Sequence, residues 1–320
     1  MLRTGLAAAM LVIAAPGLPD ALLTSEDLDR AFPDAMTGPV FDPLVADVQV
    51  VLDRAGVSPG VIDGIDTPRF RKALSTFIDL KGLPPEAESR TLLRALVAAE
   101  ARPTFSEYAL SARDVSGPFV DAIPDLFVEQ ARLPHLGYRS AMERVAESFH
   151  MHEDLLARLN PGVAFDQAGV TVRVADPGRR KDVVVARIVA DKSARQVRAY
   201  DADGRLLTAY PASVGSADTP SPSGVARVRS KASNPTYTFN PAFRFQTGTS
   251  SGLVRVAAGP NNPVGSTWIG LDRPTYGIHG TPEPAHVGEA SSHGCVRLTN
   301  WDADELARMT RAGTLVEFID

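Results

Sequence analysis

Cysteine is nearly absent from this chain: 320 residues contain one, Cys295. No intramolecular disulfide can form, so apolar cores must hold the fold. Long runs of basic charge are missing as well. Lysine and arginine number 33 against 38 acidic residues, a net charge of −5, with no stripe that could track a phosphate backbone. Nucleic acid is therefore excluded as the expected partner. A membrane-spanning run is also lacking, because the apolar stretch Leu6 to Ala15 is too short for a hydrocarbon core of about 30 Å. No stable membrane span is expected, and no cysteine near the N-terminus could carry a lipid.

What is present begins with that same stretch. Arg3 supplies a positive charge, the apolar run follows, and Ala14, Ala15, Pro16 and Gly17 are small or turn-forming. This pattern predicts a secretory signal peptide over residues 1–21 and export to the periplasm or cell envelope. A thiol sent into an oxidising compartment is a liability unless it is buried or does chemistry.

The remaining length suits about two domains and a connector, and a hydrophobic fraction of 44% allows real cores. Residues 22–100 read as helical. Leu44, Val48, Val51 and Leu52 share one helical face, as do Phe70, Leu74, Phe77 and Ile78. Thr67 and Pro68 offer an N-cap and first-turn proline. Gly60 and Asp63-Gly64 supply turn chemistry between the two helices, and a third helix is expected over Glu86 to Ala99. The order of helix, glycine, Asp-Gly loop and aromatic-containing helix from Val48 to Leu96 resembles the peptidoglycan-binding three-helix domain.

Residues 101–137, with Pro103, Pro118, Pro124 and Pro134, read as a connector. Residues 138–176 predict helix, turn, helix and a strand at Val170 to Val174. The run Leu159-Asn160-Pro161-Gly162 and the apolar ladder Val145, Phe149, Leu155 and Leu156 resemble a lysin-motif (LysM) segment, a fold that holds N-acetylglucosamine polymers. His150 and His152 read as a partly exposed helix end rather than a metal pair.

From Asp182 the period changes to that of strands. Val183 to Ala190 is β-branched, and Arg195 to Tyr200 and Arg205 to Tyr210 flank the hairpin signal Asp203-Gly204. Further strands are expected at Gly224 to Ser230, Thr267 to Leu271, Gly277 to His279, Val296 to Leu298 and Leu315 to Ile319. A helix from Asn300 to about Ala312 is stopped by Gly313. The predicted class is multidomain α+β, with the last domain, 182–320, mostly antiparallel β.

The chemistry is concentrated in Ile278-His279-Gly280-Thr281 and in Ser291-Ser292-His293-Gly294-Cys295-Val296-Arg297-Leu298. A histidine hydrogen-bonded to a thiol is a common route to thiolate near neutral pH. Gly294 lets the backbone bend so that adjacent N–H groups can point at an oxyanion. Zinc on His279, His286, His293 and Cys295 is the alternative, but the spacing matches no common zinc pattern.

These residues resemble the signature of the L,D-transpeptidase catalytic domain, a strand histidine followed by Ser/Thr-His-Gly-Cys and a polar residue two places on. The loops Thr219 to Gly224 and Gly259 to Gly265 resemble that family too. The resemblance implies Cys295 as nucleophile, His279 as base and the Gly280 carbonyl as its orienting partner. His293 and Gly294 would shape the turn, and Ser292, Arg297 and Tyr276 would meet substrate or steady the loop. It implies peptidoglycan as partner, cross-linking of its peptide stems as activity, no metal or organic cofactor, and inhibition by carbapenem-type β-lactams. Two other readings stay open: a cysteine carboxypeptidase acting on the same stems, and a non-catalytic wall-binding protein.

Overall fold

The computed structural model describes residues 40–83, 89–178, 182–215, 221–240, 252–289 and 294–320. The expected leader, the start of the 22–100 unit, and Ser291, Ser292 and His293 lie outside those residues. Helix α1 (Pro43–Ala55) starts where the Asp42 carboxylate accepts the Leu44 N–H and stops at Gly56, whose φ of 84° takes the left-handed cap. Thr67 caps α2 (Pro68–Lys81) by accepting the Phe70 N–H, and Gly82 ends it. The third helix, expected over 86–99, is observed as α3 (Arg90–Ala98). Their apolar faces meet in one core of Leu44, Val48, Leu52, Phe70, Leu74 and Leu93. The buried Gln49 amide locks the Asp63-Gly64 turn, accepting both backbone N–H groups and donating to the Asp63 carboxylate.

The segment read as a connector has structure of its own. It holds β1 (Phe105–Ala109), α4 (Ala112–Val115) and α5 (Phe127–Gln130). After it come α6 (Ala141–Ser148), α7 (Glu153–Leu159) and β2 (Thr171–Ala175), and β1 pairs antiparallel with β2. Five residues with two short apolar positions carry too little alternation to announce β1. Asn160 explains the Leu-Asn-Pro-Gly run: its buried amide donates to the carbonyls of Leu156 and Arg173 and accepts the Arg173 N–H, tying α7 to β2.

The third region is built on strands β3 (Arg187–Asp191), β4 (Gln196–Tyr200), β5 (Leu206–Pro211), β6 (Ser213–Val214) and β7 (Gly224–Ser233). A separate ribbon, β8 (Tyr237–Phe239) with β9 (Val254–Val256), precedes β10 (Thr267–Leu271) and β11 (Gly277–His279). The chain then runs through β12 (Val296–Arg297), helix α8 (Asn300–Met309) and β13 (Leu315–Ile319). Nine strands form one sheet in the order β5-β4-β3-β13-β7-β10-β11-β12-β6. Its two edge strands, β5 and β6, are separated in the chain by Ala212 alone, so the sheet must curl until its edges approach, as in a barrel. Most pairs are antiparallel, as expected, but β3–β13 and β11–β12 are parallel. Helix α8 is shorter than expected. Lys231 donates to the carbonyls of Ala307 and Thr310, and Thr310 is already extended, so the helix ends before Gly313.

The helical regions are packed onto the barrel within one compact unit, residues 36–320. The Ala209 N–H donates to Gly56 O and the Ser58 N–H to Ala209 O, continuing strand-like pairing across the junction. Arg69 reaches Ala285 O at 2.6 Å, and Asn300 donates to Glu147 at 2.9 Å. Helix α5 covers the β8–β9 ribbon, its Phe127 and Val128 packing together with Leu136 of the following loop against Phe239 and Val256.

Candidate active site

His279 and Cys295 are brought together by the short parallel pair β11–β12, in which Ile278 faces Val296 and His279 faces Arg297. Side chains alternate along strands. Ile278 and Val296 therefore enter the barrel core, both fully buried. His279, Arg297 and the preceding Cys295 fall to the other face. On the next strand Trp268 pairs with His279, which places the indole on that face too.

The His279 ring is buried, and its Nδ1 lies 2.7 Å from the Gly280 carbonyl oxygen. A carbonyl only accepts, so Nδ1 carries the proton and Nε2 keeps its lone pair. Burial first, then the Arg297 charge, holds this imidazole down to about 4, against the pull of the Gly280 carbonyl. Burial also pushes the Cys295 thiol up, opposed by the Gly277 N–H and by Arg297. At neutral pH both groups therefore rest uncharged, a thiol and an imidazole whose Nε2 is free of a proton.

The backbone around the thiol is unusual. Gly294 has φ 103°, open to glycine alone among common residues, and its carbonyl accepts from the buried Ser221 hydroxyl at 2.7 Å. The Cys295 Sγ donates to Thr275 O at 3.5 Å, and Thr275 itself sits at φ 69°. Gly280 must be glycine because a Cβ there would lie 2.1 Å from Asn300 Oδ1. That amide is pinned in turn, donating to Glu147 and Pro260 O and accepting the Ser266 N–H.

Arg297 is partly buried, and its Nε has no hydrogen-bond partner among the described residues. Burial lowers its pKa, with Glu283 acting in the other direction. Tyr276, expected beside the substrate, follows the strand alternation with Ile278 and packs on the barrel core. Burial and then Cys295 push the Tyr237 hydroxyl up to about 12, and its ring meets Phe127 edge-on at 5.3 Å. Ser292 and His293 lie outside the described residues. Of the other zinc candidates, His286 is exposed and contacts Glu283 at 3.4 Å. Among the described residues no three His, Cys, Asp or Glu side chains gather as a metal site. His150 bonds Asp53 at 2.6 Å and stacks on Trp301, while His152 caps α7.

Trp268, Tyr237, Ser221 and Asn300 were not singled out by sequence. A hairpin reading of Thr267 to Leu271 against Gly277 to His279 would have paired Trp268 with His279. Ser221 falls within the Thr219 to Gly224 loop, and nothing local marks the contacts of Tyr237 or Asn300.

The L,D-transpeptidase catalytic-domain family matches residues 185–318. A putative L,D-transpeptidase YkuD of Bacillus licheniformis is 31% identical over 176 residues, 55% of this chain and 91% of that protein. Its Bacillus subtilis counterpart is 27% identical over 177 residues, with the same shares of each chain. Among solved structures, an L,D-transpeptidase from Mycobacterium smegmatis aligns with TM-score 0.35 and 20% identity over 48% of this chain and 64% of that one. With the licheniformis relative matched over nine-tenths of its length, the chain belongs to the YkuD-type L,D-transpeptidase family.

Proposed function

We propose that this L,D-transpeptidase cross-links peptidoglycan stems by a two-step acyl transfer on Cys295. The carrying observation is the 2.7 Å contact from His279 Nδ1 to the Gly280 carbonyl, which leaves Nε2 as the one basic nitrogen of the ring. The Cys295 sulfur attacks the carbonyl joining the third and fourth residues of a tetrapeptide stem as its proton passes to Nε2. The C–N bond then breaks, and the proton goes to the departing D-alanine amine. The acceptor amine of a neighbouring stem attacks the thioester, gives its proton to Nε2, and the sulfur leaves and regains that proton. Gly294 and Cys295 N–H groups hold the oxyanion, His293 and Ser292 shape the loop, and the Arg297 fork takes a stem carboxylate. A carbapenem-type β-lactam would acylate the same sulfur.

The three-helix and LysM-like regions hold the glycan beside this site, and the leader directs the chain to the cell envelope. Packing of both regions on the barrel supports a fixed geometry rather than a tether. No described helix is long and apolar enough to cross a membrane. Mass spectrometry of the full chain with a disaccharide-tetrapeptide tests the chemistry. A cross-linked dimer with loss of D-alanine, absent for Cys295→Ala, is expected. Trimmed monomer alone would make water the acceptor and the protein a carboxypeptidase. Sedimentation with purified sacculi after carbapenem saturation tests the binding role, and its loss would remove that role.

A further inference from the structure

We propose that Trp268 is a positioning residue for the transfer reaction, its indole serving as the plate that fixes the His279 imidazole in register with Cys295. The inference rests on His279 being the base. The two rings are stacked, with centroids 5.5 Å apart and planes 18° from parallel. A histidine ring has a broad, roughly two-fold χ2 preference, and here one hydrogen bond, to Gly280 O, sets its rotation. A flat surface against the ring removes the remaining freedom and keeps water from one face.

Two glycines show that the chain is built around this indole. At Gly277 a Cβ would lie 2.5 Å from Trp268 Cζ2 and 2.7 Å from Cε2 and Cη2. At Gly270 it would meet Trp268 Nε1 at 3.0 Å and the Ser230 hydroxyl at 2.7 Å. Neither glycine is among those with a left-handed φ, so neither is required by a turn. They pair with each other, Gly270 opposite Gly277, two positions along from the Trp268–His279 pair on the same face, and what they provide is room for the ring.

Loss of the plate has two consequences with a definite sign. The imidazole rotates more freely, so the plateau rate falls. It also gains water, so its pKa rises from about 4 toward the ordinary histidine value, and the base becomes protonated at higher pH. The experiment measures acylation of Cys295 by a carbapenem from pH 4 to 8 in the full chain, with the His279 ring titrated by NMR. In Trp268→Leu the acid midpoint is expected to rise by about one pH unit or more, with the plateau down about tenfold. Trp268→Phe, which restores a stacking ring, should return both to within about twofold of the parent. Gly277→Ala should reproduce the Leu phenotype by driving the indole away, and should add little to Trp268→Leu. This second route also covers the case in which the Leu variant does not fold. Unchanged midpoint and plateau in folded Trp268→Leu or Gly277→Ala would overturn the role of Trp268 alone. Unchanged acylation in His279→Ala would instead overturn the base itself, and the positioning role with it.

Discussion

Two arginines, Arg69 buried and Arg297 partly buried, are treated by the molecule in opposite ways. Arg69, on α2 of the helical region, has a side chain 2% exposed and every arm of its guanidinium engaged. Nε donates to Pro59 O, Nη1 to Ala285 O and Nη2 to the Asp63 carboxylate, with Glu289 at 3.6 Å. Arg297, on β12 beside the thiol, keeps an Nε without a partner among the described residues. Burying a charge is tolerable only when its hydrogen bonds are made. The fully bonded arginine is therefore an element of the fold, and the incompletely bonded one is the one for which a ligand contact is proposed.

The same contrast extends to the carboxylates. Where the helical regions meet the barrel, Glu147 accepts from Asn300 and Tyr138, and Asp302 accepts from Ser58. On the catalytic face, no carboxylate among the described residues is bonded to the His279 ring. The first region rigidifies, and the second is held ready by it, since Ala285 and Gly280 are both contacted from the helical side through Arg69 and through the Asn300–Glu147 pair.

The contrast can be broken most severely at the thiol. Cys295→Ala is expected to lower turnover by at least about a thousandfold while leaving the thermal midpoint near that of the parent, as read by product mass spectrometry and calorimetry. Next comes the structural arginine. Arg69→Met leaves Asp63 without its buried cation and should cost about 3–5 kcal/mol in denaturant unfolding. Arg297→Met should show the reverse split: stability within about 1 kcal/mol and kcat/KM on a tetrapeptide donor down about a hundredfold. Equal stability losses in the two variants would erase the distinction drawn between these arginines.

The smallest effect is a pH dependence. Burial pushes Glu147 up to about 7, with Asn300 and Tyr138 opposing and Glu143 and Asp304 adding to the rise. A carboxyl raised on folding contributes stability that is full below its unfolded pKa of about 4.5 and is lost as pH climbs through about 7. The thermal midpoint of the parent relative to Glu147→Gln should therefore fall between about pH 5 and pH 8. A flat difference over that range would mean that Glu147 is ionised throughout in the folded protein.

Much of this was legible along the chain. The Thr67-Pro68 start of α2, the Asp203-Gly204 hairpin and the strands at 267–271 and 277–279 are local patterns, and each was found where its residues pointed. Strand β1 and the β8–β9 ribbon were not read from sequence. The partners of Tyr237 and Ser221 escaped because Cys295, whose charge acts on Tyr237, and Gly294, bonded by Ser221, lie 58 and 73 residues away in sequence, and no spacing rule links them.

By itself the sequence determined which chemistry is possible. One thiol, a strand histidine, Gly294 and Arg297 form a set whose residue types permit acyl transfer, and that information is local. The tertiary structure decided the state in which the set waits. Burial keeps the thiol and imidazole neutral, the Gly280 carbonyl selects the ring tautomer, and the β10–β11 register lays Trp268 against His279. Those outcomes depend on water excluded and partners supplied by distant segments, and pattern along a single strand carries neither.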